Sequence, residues 1–110
     1  MNKNYSNERP PLWTRDTTPS RTVNFGIEEL GENEEFKYSY YSVSIKVGRW
    51  NNDEMIADLV AAEYPSDRMQ AVINNYLLDP VGRKEEFDKM QEWRALCKQT
   101  AHEILKKAEE

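Results

Sequence analysis

Two stretches in the first half of the chain alternate between apolar and polar residues, the period expected of a β-strand with one buried face. The first covers residues 22–28 and the second covers residues 36–47. In the second stretch the apolar positions change phase at Tyr40 and Tyr41, which predicts either a β-bulge in that strand or a strand with both faces partly covered. A turn rich in glutamate separates the two stretches. The pattern predicts an antiparallel β-ribbon, which needs helices or another subunit to pack against.

Three helices are predicted in the second half of the chain. The first begins at Asn51 or the next residue, where Asn51 and Glu54 resemble a capping box, and it ends before Pro65. The second begins with Ser66 as its cap and has apolar residues spaced i, i+3, i+4 and i+7. The third runs from about Arg83 to the C-terminal end. The predicted fold class is α+β: an N-terminal antiparallel β-ribbon followed by two short helices and one long C-terminal helix.

The third helix carries an apolar seam with heptad spacing, the arrangement that lets helices pack along their length. The seam consists of Met90, Arg94, Cys97, Ala101, Ile104 and Ala108. In one interpretation the seam packs against the two shorter helices of the same chain, and in the other its distal half packs against a second copy. Arg94 fits the second interpretation, because a polar seam residue can fix helix register. It equally fits the edge of a core, with its head in water.

The start of the chain has the composition of an extended segment. Residues 1–19 are rich in asparagine, serine, threonine and proline, and they are predicted to form a flexible N-terminal arm. Residues 20–110 are predicted to form a single α+β domain. Trp13 is the largest apolar side chain of the arm. Two roles remain open for it: Trp13 pins the arm onto the domain, or it docks on another subunit or partner.

The negative charge of the protein is concentrated in its middle. The formal net charge is −5 at pH 7, and most of the acidic excess lies in residues 23–64. Because such a surface repels phosphate, we expect no nucleic-acid partner. No apolar run approaches the roughly 20 residues of a membrane-spanning helix, so we expect no membrane partner. Cys97 is the only cysteine, which suits a cytoplasmic location.

No residue pattern points to catalysis, a cofactor or a metal. Cys97 lies on the apolar seam, where a free cysteine behaves as a small hydrophobic residue, and no base neighbours it. His102 is the only histidine and is predicted to lie on the surface. One histidine and one cysteine cannot form the common zinc sites, and the glycine-rich phosphate-binding motifs do not occur. We therefore expect a protein that is not an enzyme and that needs no cofactor.

Three segments carry a likeness to a known group of proteins: the Tyr64–Pro65 turn, residues 71–77 and residues 90–94. Together with the residues around them, from 42 to 107, they resemble small uncharacterised proteins of phage and prophage genomes that are often associated with tail genes. The resemblance implies a virion-associated or assembly role. It assigns no catalytic role to any residue.

The apolar seam and the small ribbon together predict a non-enzymatic interaction protein, and the resemblance implies that it is a structural or assembly protein of the phage or prophage type. Such a protein would act through protein–protein association, mainly with copies of itself. The predicted interface residues are Trp13, Phe87, Met90, Trp93, Arg94, Cys97 and Ile104. The alternative is a monomeric acidic adaptor or inhibitor that binds a basic protein partner through the glutamates of residues 28–35.

Overall fold

The computed structural model describes residues 3–15, 19–32 and 34–109, and the side chains of these ranges up to residue 106. Within these ranges the chain forms a four-stranded antiparallel sheet followed by three α-helices, so the predicted α+β class is confirmed. The elements are β1 (Asn4–Ser6), β2 (Trp13–Arg15), β3 (Ser20–Glu29), β4 (Tyr38–Lys46), α1 (Asn52–Glu63), α2 (Ser66–Leu78) and α3 (Lys84–Glu109).

The sheet has two more strands than the ribbon predicted from the sequence. Its strand order is β1-β4-β3-β2, with Asn4 opposite Tyr40 at one edge and Trp13 opposite Val23 at the other. Both edge strands were predicted to belong to an arm outside the domain, but their pairing with β4 and β3 places them in the sheet. The reason is length: a strand of three residues is too short to show a period of two.

The β-bulge lies in β3, not in β4 as predicted. Phe25 pairs with Tyr41, but the next pair is Glu28 with Ser39, so β3 holds one extra residue between them. Gly26 occupies this position with a φ of +60°, the left-handed region that glycine adopts without strain. The phase change at Tyr40–Tyr41 arises instead because tyrosines cover both faces of β4, while their hydroxyl groups can reach water.

The helices pack on the sheet face that carries Val23, Phe25 and Ile45. Trp93 of α3 lies at the centre of this contact, with its ring centroid 5.4 Å from that of Phe25 and 5.1 Å from that of Tyr41. Its indole Nε1 donates a hydrogen bond to the carbonyl of Leu59 in α1 (3.2 Å). One side chain therefore joins the sheet, α1 and α3.

A polar network holds the segment between β1 and β2 against the other face of the sheet. The amide of the buried Asn24 donates to the carbonyl of Pro11 (2.8 Å), and its oxygen accepts from the Ser42 hydroxyl (2.7 Å). Asn4 in turn donates to the Ser42 hydroxyl oxygen (3.1 Å). Two of these contacts join β1 or the following segment to the central strands, and the third links Ser42 of β4 to Asn24 of β3, so the network ties residues 4–11 to the sheet.

The helix ends follow the sequence analysis with one exception. Asn51 caps α1: its side-chain oxygen accepts from the backbone N–H of Glu54 (3.0 Å), and its amide donates to the Glu54 carboxylate (3.1 Å). The predicted capping box is thus confirmed. Ser66 was predicted as the cap of α2, but it is the first helical residue, and Pro65 takes the cap position without a side-chain hydrogen bond.

Candidate functional site

Most of the predicted interface residues are buried in the chain's own core. Met90, Trp93, Cys97 and Ile104 have relative exposures of 0%, 9%, 0% and 1%. They pack against the sheet and the two shorter helices, which is the first of the two interpretations of the seam. Heptad spacing did not separate the two, because a helix buried in its own domain and a helix at an interface show the same apolar period.

The other three predicted interface residues are half-buried and have partners within the chain. The Phe87 ring stacks on the Tyr76 ring with 4.0 Å between centroids. Arg94 donates to the side-chain oxygen of Gln91 (3.3 Å). Trp13 packs edge-on against Trp50, at 5.7 Å between ring centroids. These contacts support the first of the two roles predicted for Trp13, in which it pins the N-terminal segment to the domain.

The two side chains considered for catalysis lie in opposite environments. Cys97 is fully buried, and this burial raises the pKa of its thiol to about 12. His102 is exposed on α3. In the described part of the chain, no group of three or more histidine, cysteine, aspartate or glutamate residues is placed to hold a metal ion.

An apolar surface that the sequence analysis missed lies where α2 ends. Leu77, Leu78 and Val81 are 70%, 86% and 91% exposed. We call these three residues the apolar tip. Their exposure follows from the chain path: α2 stops before Pro80, and the short link to α3 leaves the last turn of α2 without a covering element. The signal in the sequence was the Leu77–Leu78 pair, because Leu78 lies on the side of α2 opposite its apolar stripe and Leu77 lies only at the edge of that stripe.

A second feature is a cleft between the bulged end of β3 and the helices, with a volume of about 460 Å³. We call it the aromatic cleft. Its walls include the rings of Tyr41, Tyr64 and Trp93, and Gly26 lies at the bulge beside it. It is also lined by the carboxylates of Glu28, Glu63 and Glu92 and by the amine of Lys89.

A third feature is the acidic end of the β3–β4 hairpin. Its glutamates are Glu28, Glu29, Glu32, Glu34 and Glu35, and all five are exposed. These are the residues that the alternative function, an acidic adaptor, would use. Their clustering in the sequence already predicted an exposed acidic turn, because a run of charged residues is seldom buried.

Comparisons with known proteins found no match: no protein-family model, no curated protein and no solved structure matches the chain. None of the helices in the described ranges has the length and apolar character that a membrane span needs. Three surface features of the described ranges are candidates for a functional site: the apolar tip, the aromatic cleft and the acidic hairpin end.

Proposed function

We propose that this protein is a non-enzymatic structural or assembly protein that self-associates through its apolar tip. The observation that carries the proposal is the exposure of Leu77, Leu78 and Val81 within five residues of one another. Clusters of exposed apolar side chains often mark association sites. The long-helix seam is not the surface used, since its residues Met90, Cys97, Ala101 and Ile104 are already packed in the core.

The charges beside the apolar tip favour a second copy as the partner. The Nη1 atom of Arg83 lies 3.7 Å from the Glu86 carboxylate, and the Nζ atom of Lys84 lies 2.7 Å from the Asp88 carboxylate. Basic and acidic groups therefore alternate at the start of α3. In a two-fold symmetric contact each patch meets its own copy. A patch of a single charge would repel itself, whereas this mixed rim is complementary to itself.

The tip would form the centre of a larger contact. Burying a leucine or valine side chain contributes roughly 1.5–3 kcal/mol, while a stable interface buries about 1,600 Å² in total. Surrounding parts of α2 and α3 would therefore have to join the contact. We further propose virion assembly, beginning in the cytoplasm, as the setting for this association, which is the role implied by the sequence resemblance stated for residues 42–107.

Light scattering across a dilution series tests the proposal. We expect the mass of the wild-type protein to fall from dimer to monomer on dilution, and the double variant Leu77→Ser, Leu78→Ser to remain a monomer. Val47→Ser is the matched control, because Val47 is also exposed (44%) but lies outside the tip. A wild-type protein that is monomeric at every concentration would overturn self-association, and a dimeric double variant would overturn the role of the tip.

The acidic hairpin end supports a second candidate function, binding of a basic protein partner. Its five exposed glutamates offer a dense negative surface that would speed and orient the approach of such a partner. Binding of this kind weakens as salt is added. We expect the affinity for a basic peptide to fall steeply with ionic strength and with the triple variant Glu32→Gln, Glu34→Gln, Glu35→Gln. Binding that ignores both changes would contradict this candidate.

A further inference from the structure

A fourth surface feature is a pair of arginines that face each other across β2 and β3. In the pairing of these strands Arg15 lies opposite Arg21, and Trp13 lies opposite Val23. Residues that lie opposite each other, and residues two positions apart in one strand, share a face of the sheet. The two arginines and Trp13 therefore lie on the same face as Val23. Like charges directly opposite each other destabilise a sheet, because their Cβ atoms are only roughly 5 Å apart.

Two tryptophan rings hold the guanidinium of Arg21. Its Cζ atom lies 4.8 Å from the ring centre of Trp13 and 4.7 Å from that of Trp50, both within the range of a cation–π contact. The two rings meet edge-on, with 5.7 Å between their centroids, and form the walls of a corner. Arg21 and both rings are half-buried, whereas Arg15 is exposed. We call Trp13, Arg15, Arg21 and Trp50 the arginine corner.

Neither arginine of the corner forms an ion pair with a carboxylate in the described ranges. Arg49, which precedes one of the corner's tryptophans in the chain, is different. Its Nε atom lies 2.8 Å from the Asp58 carboxylate, and its Nη1 atom lies 3.9 Å from that of Glu54. These two carboxylates of α1 are therefore already engaged. The described part of the chain leaves the two positive charges of the corner uncompensated.

The chemistry of two opposed guanidinium groups favours a doubly charged oxygen acid. A guanidinium presents its N–H donors in one plane, as a fork that binds two oxygens, and it packs on aromatic rings through the face of that plane. A carboxylate has two oxygens and one negative charge, which suit a single fork. A phosphoryl group has three terminal oxygens and, with a second pKa of about 6, nearly two negative charges at pH 7.5. It therefore matches both forks and both charges.

We propose that the arginine corner binds a phosphoryl group, with Arg15 and Arg21 donating to its oxygens and the rings of Trp13 and Trp50 positioning Arg21. The bound dianion offsets the repulsion between the two opposed arginines. Inorganic phosphate and the phosphorylated side chain of a protein present the same chemistry to the corner. The site is separate from the apolar tip and does not depend on self-association.

Nuclear magnetic resonance titration at pH 7.5 and constant ionic strength tests the proposal. The indole N–H signals of Trp13 and Trp50 are the reporters, and that of Trp93, which packs in the core, is the internal reference. The probes are inorganic phosphate, a capped phosphoserine peptide of otherwise uncharged residues, its unphosphorylated counterpart, acetate and dimethyl phosphate. We expect the first two probes to shift the reporters and to leave the reference in place. Acetate and dimethyl phosphate, which carry one charge each, should bind at least about tenfold more weakly.

The two sources of the phosphoryl group are separated by the same titration. Tighter binding of the phosphoserine peptide than of inorganic phosphate would assign the corner to a phosphorylated protein. Equal or weaker binding of the peptide would assign it to free phosphate. Both results support a phosphoryl site. The site is overturned if acetate or dimethyl phosphate binds as tightly as phosphate, or if the unphosphorylated peptide binds as tightly as the phosphorylated one.

Arg15→Gln is the variant that tests the arginine pair, because Arg15 is exposed and its replacement opens no core. We expect it to weaken phosphate binding about tenfold, the effect of losing a hydrogen-bonded charged partner. Arg9→Gln is the matched control. Arg9 is also exposed and forms no ion pair in the described ranges, but it lies outside β2 and β3. Equal weakening by both variants would mean that net charge alone causes the effect, and it would overturn the site.

Thermal melting separates binding from a structural role of Arg15. Without phosphate, Arg15→Gln should melt at the same temperature as the wild-type protein or higher, since it removes a like-charge contact. Phosphate should raise the melting temperature of the wild-type protein more than that of the variant, because a ligand stabilises the folded state that binds it. A variant that melts lower without phosphate, and gains as much from phosphate as the wild-type protein, would contradict the proposal.

Discussion

At the scale of single residues, the bulge at Gly26 is the most sensitive point of the sheet. Gly26→Ala forces a non-glycine residue to a φ of +60° and places its Cβ 2.9 Å from Cδ2 of Tyr41. We expect the free energy of unfolding to fall by about 1–3 kcal/mol, because a left-handed backbone conformation outside glycine costs this much. Urea denaturation measures the change.

Gly48→Ala is the matched control for the bulge. An added Cβ at Gly48 meets no atom within 4 Å, and its backbone φ is not positive. We expect its midpoint in urea to stay close to that of the wild-type protein. Equal losses of stability in both variants would mean that the loss at Gly26 is caused neither by its positive φ nor by the close approach of Tyr41.

The buried thiol of Cys97 leads to a second residue-scale prediction. Burial raises the pKa of Cys97 from 9.0 to about 12, so the folded protein keeps this proton where the unfolded chain releases it. Its contribution to stability is complete below about pH 9 and is lost as the pH rises toward 12. At pH 8 we expect Ellman's reagent to react slowly with the native protein and rapidly in 6 M guanidinium.

Cys97→Ala tests the stability part of this prediction. The variant should be less stable at neutral pH, since it loses buried volume, but its stability should fall less steeply between pH 9 and pH 11 than that of the wild-type protein. Rapid native reaction with Ellman's reagent, or identical pH slopes for both proteins, would contradict the burial of the thiol.

At the scale of secondary-structure elements, the sequence predicted the helices better than the sheet. Asn51 was identified as a cap because its spacing from Glu54 is a local signal, and local signals determine helix ends. The strands β1 and β2 carry no such signal. They are defined by pairing with residues far along the chain, such as Asn4 with Tyr40, and a single sequence does not contain that information.

Asn24 is the element-scale test of how the edge strands are held. Asn24→Ala removes the hydrogen bonds to the Pro11 carbonyl and from the Ser42 hydroxyl, and it leaves both partners without that contact. We expect a loss of about 1–3 kcal/mol in unfolding free energy, as for other buried hydrogen-bonded groups. Hydrogen exchange should show faster exchange in β1 and β2 while α3 stays protected.

The exposed Asn74 of α2 provides the control for Asn24, because its hydrogen bond to Gln70 lies on the surface. Asn74→Ala should change neither exchange in the edge strands nor stability by more than about 0.5 kcal/mol. If Asn24→Ala leaves the protection of β1 and β2 unchanged, the polar network is not what holds them to the sheet.

At the scale of the whole molecule, the sequence identified residues of the apolar core but did not identify the apolar surface that stays exposed. The seam around Met90 and Cys97 was correctly identified as apolar, and the structure uses it to join α3 to the sheet and the shorter helices. The apolar tip could not be predicted in the same way. Its exposure depends on which element lies beside the end of α2, and that is a property of the assembled fold.

Folding and association are coupled if the apolar tip is an interface, and thermal melting then depends on protein concentration. A partner that binds only the folded chain stabilises it by mass action. We expect the melting temperature of the wild-type protein to rise by a few degrees over a hundredfold increase in concentration, since about 1 kcal/mol shifts a domain of this size by roughly 4–8 °C. The double variant Leu77→Ser, Leu78→Ser should melt at one temperature at every protein concentration.

Because Leu77 and Leu78 are exposed within the chain, the melting temperature of this variant should match that of the wild-type protein at high dilution, where both are monomers. A variant that melts lower even there would show that the tip stabilises the chain itself, and a wild-type melting temperature independent of concentration would argue against self-association.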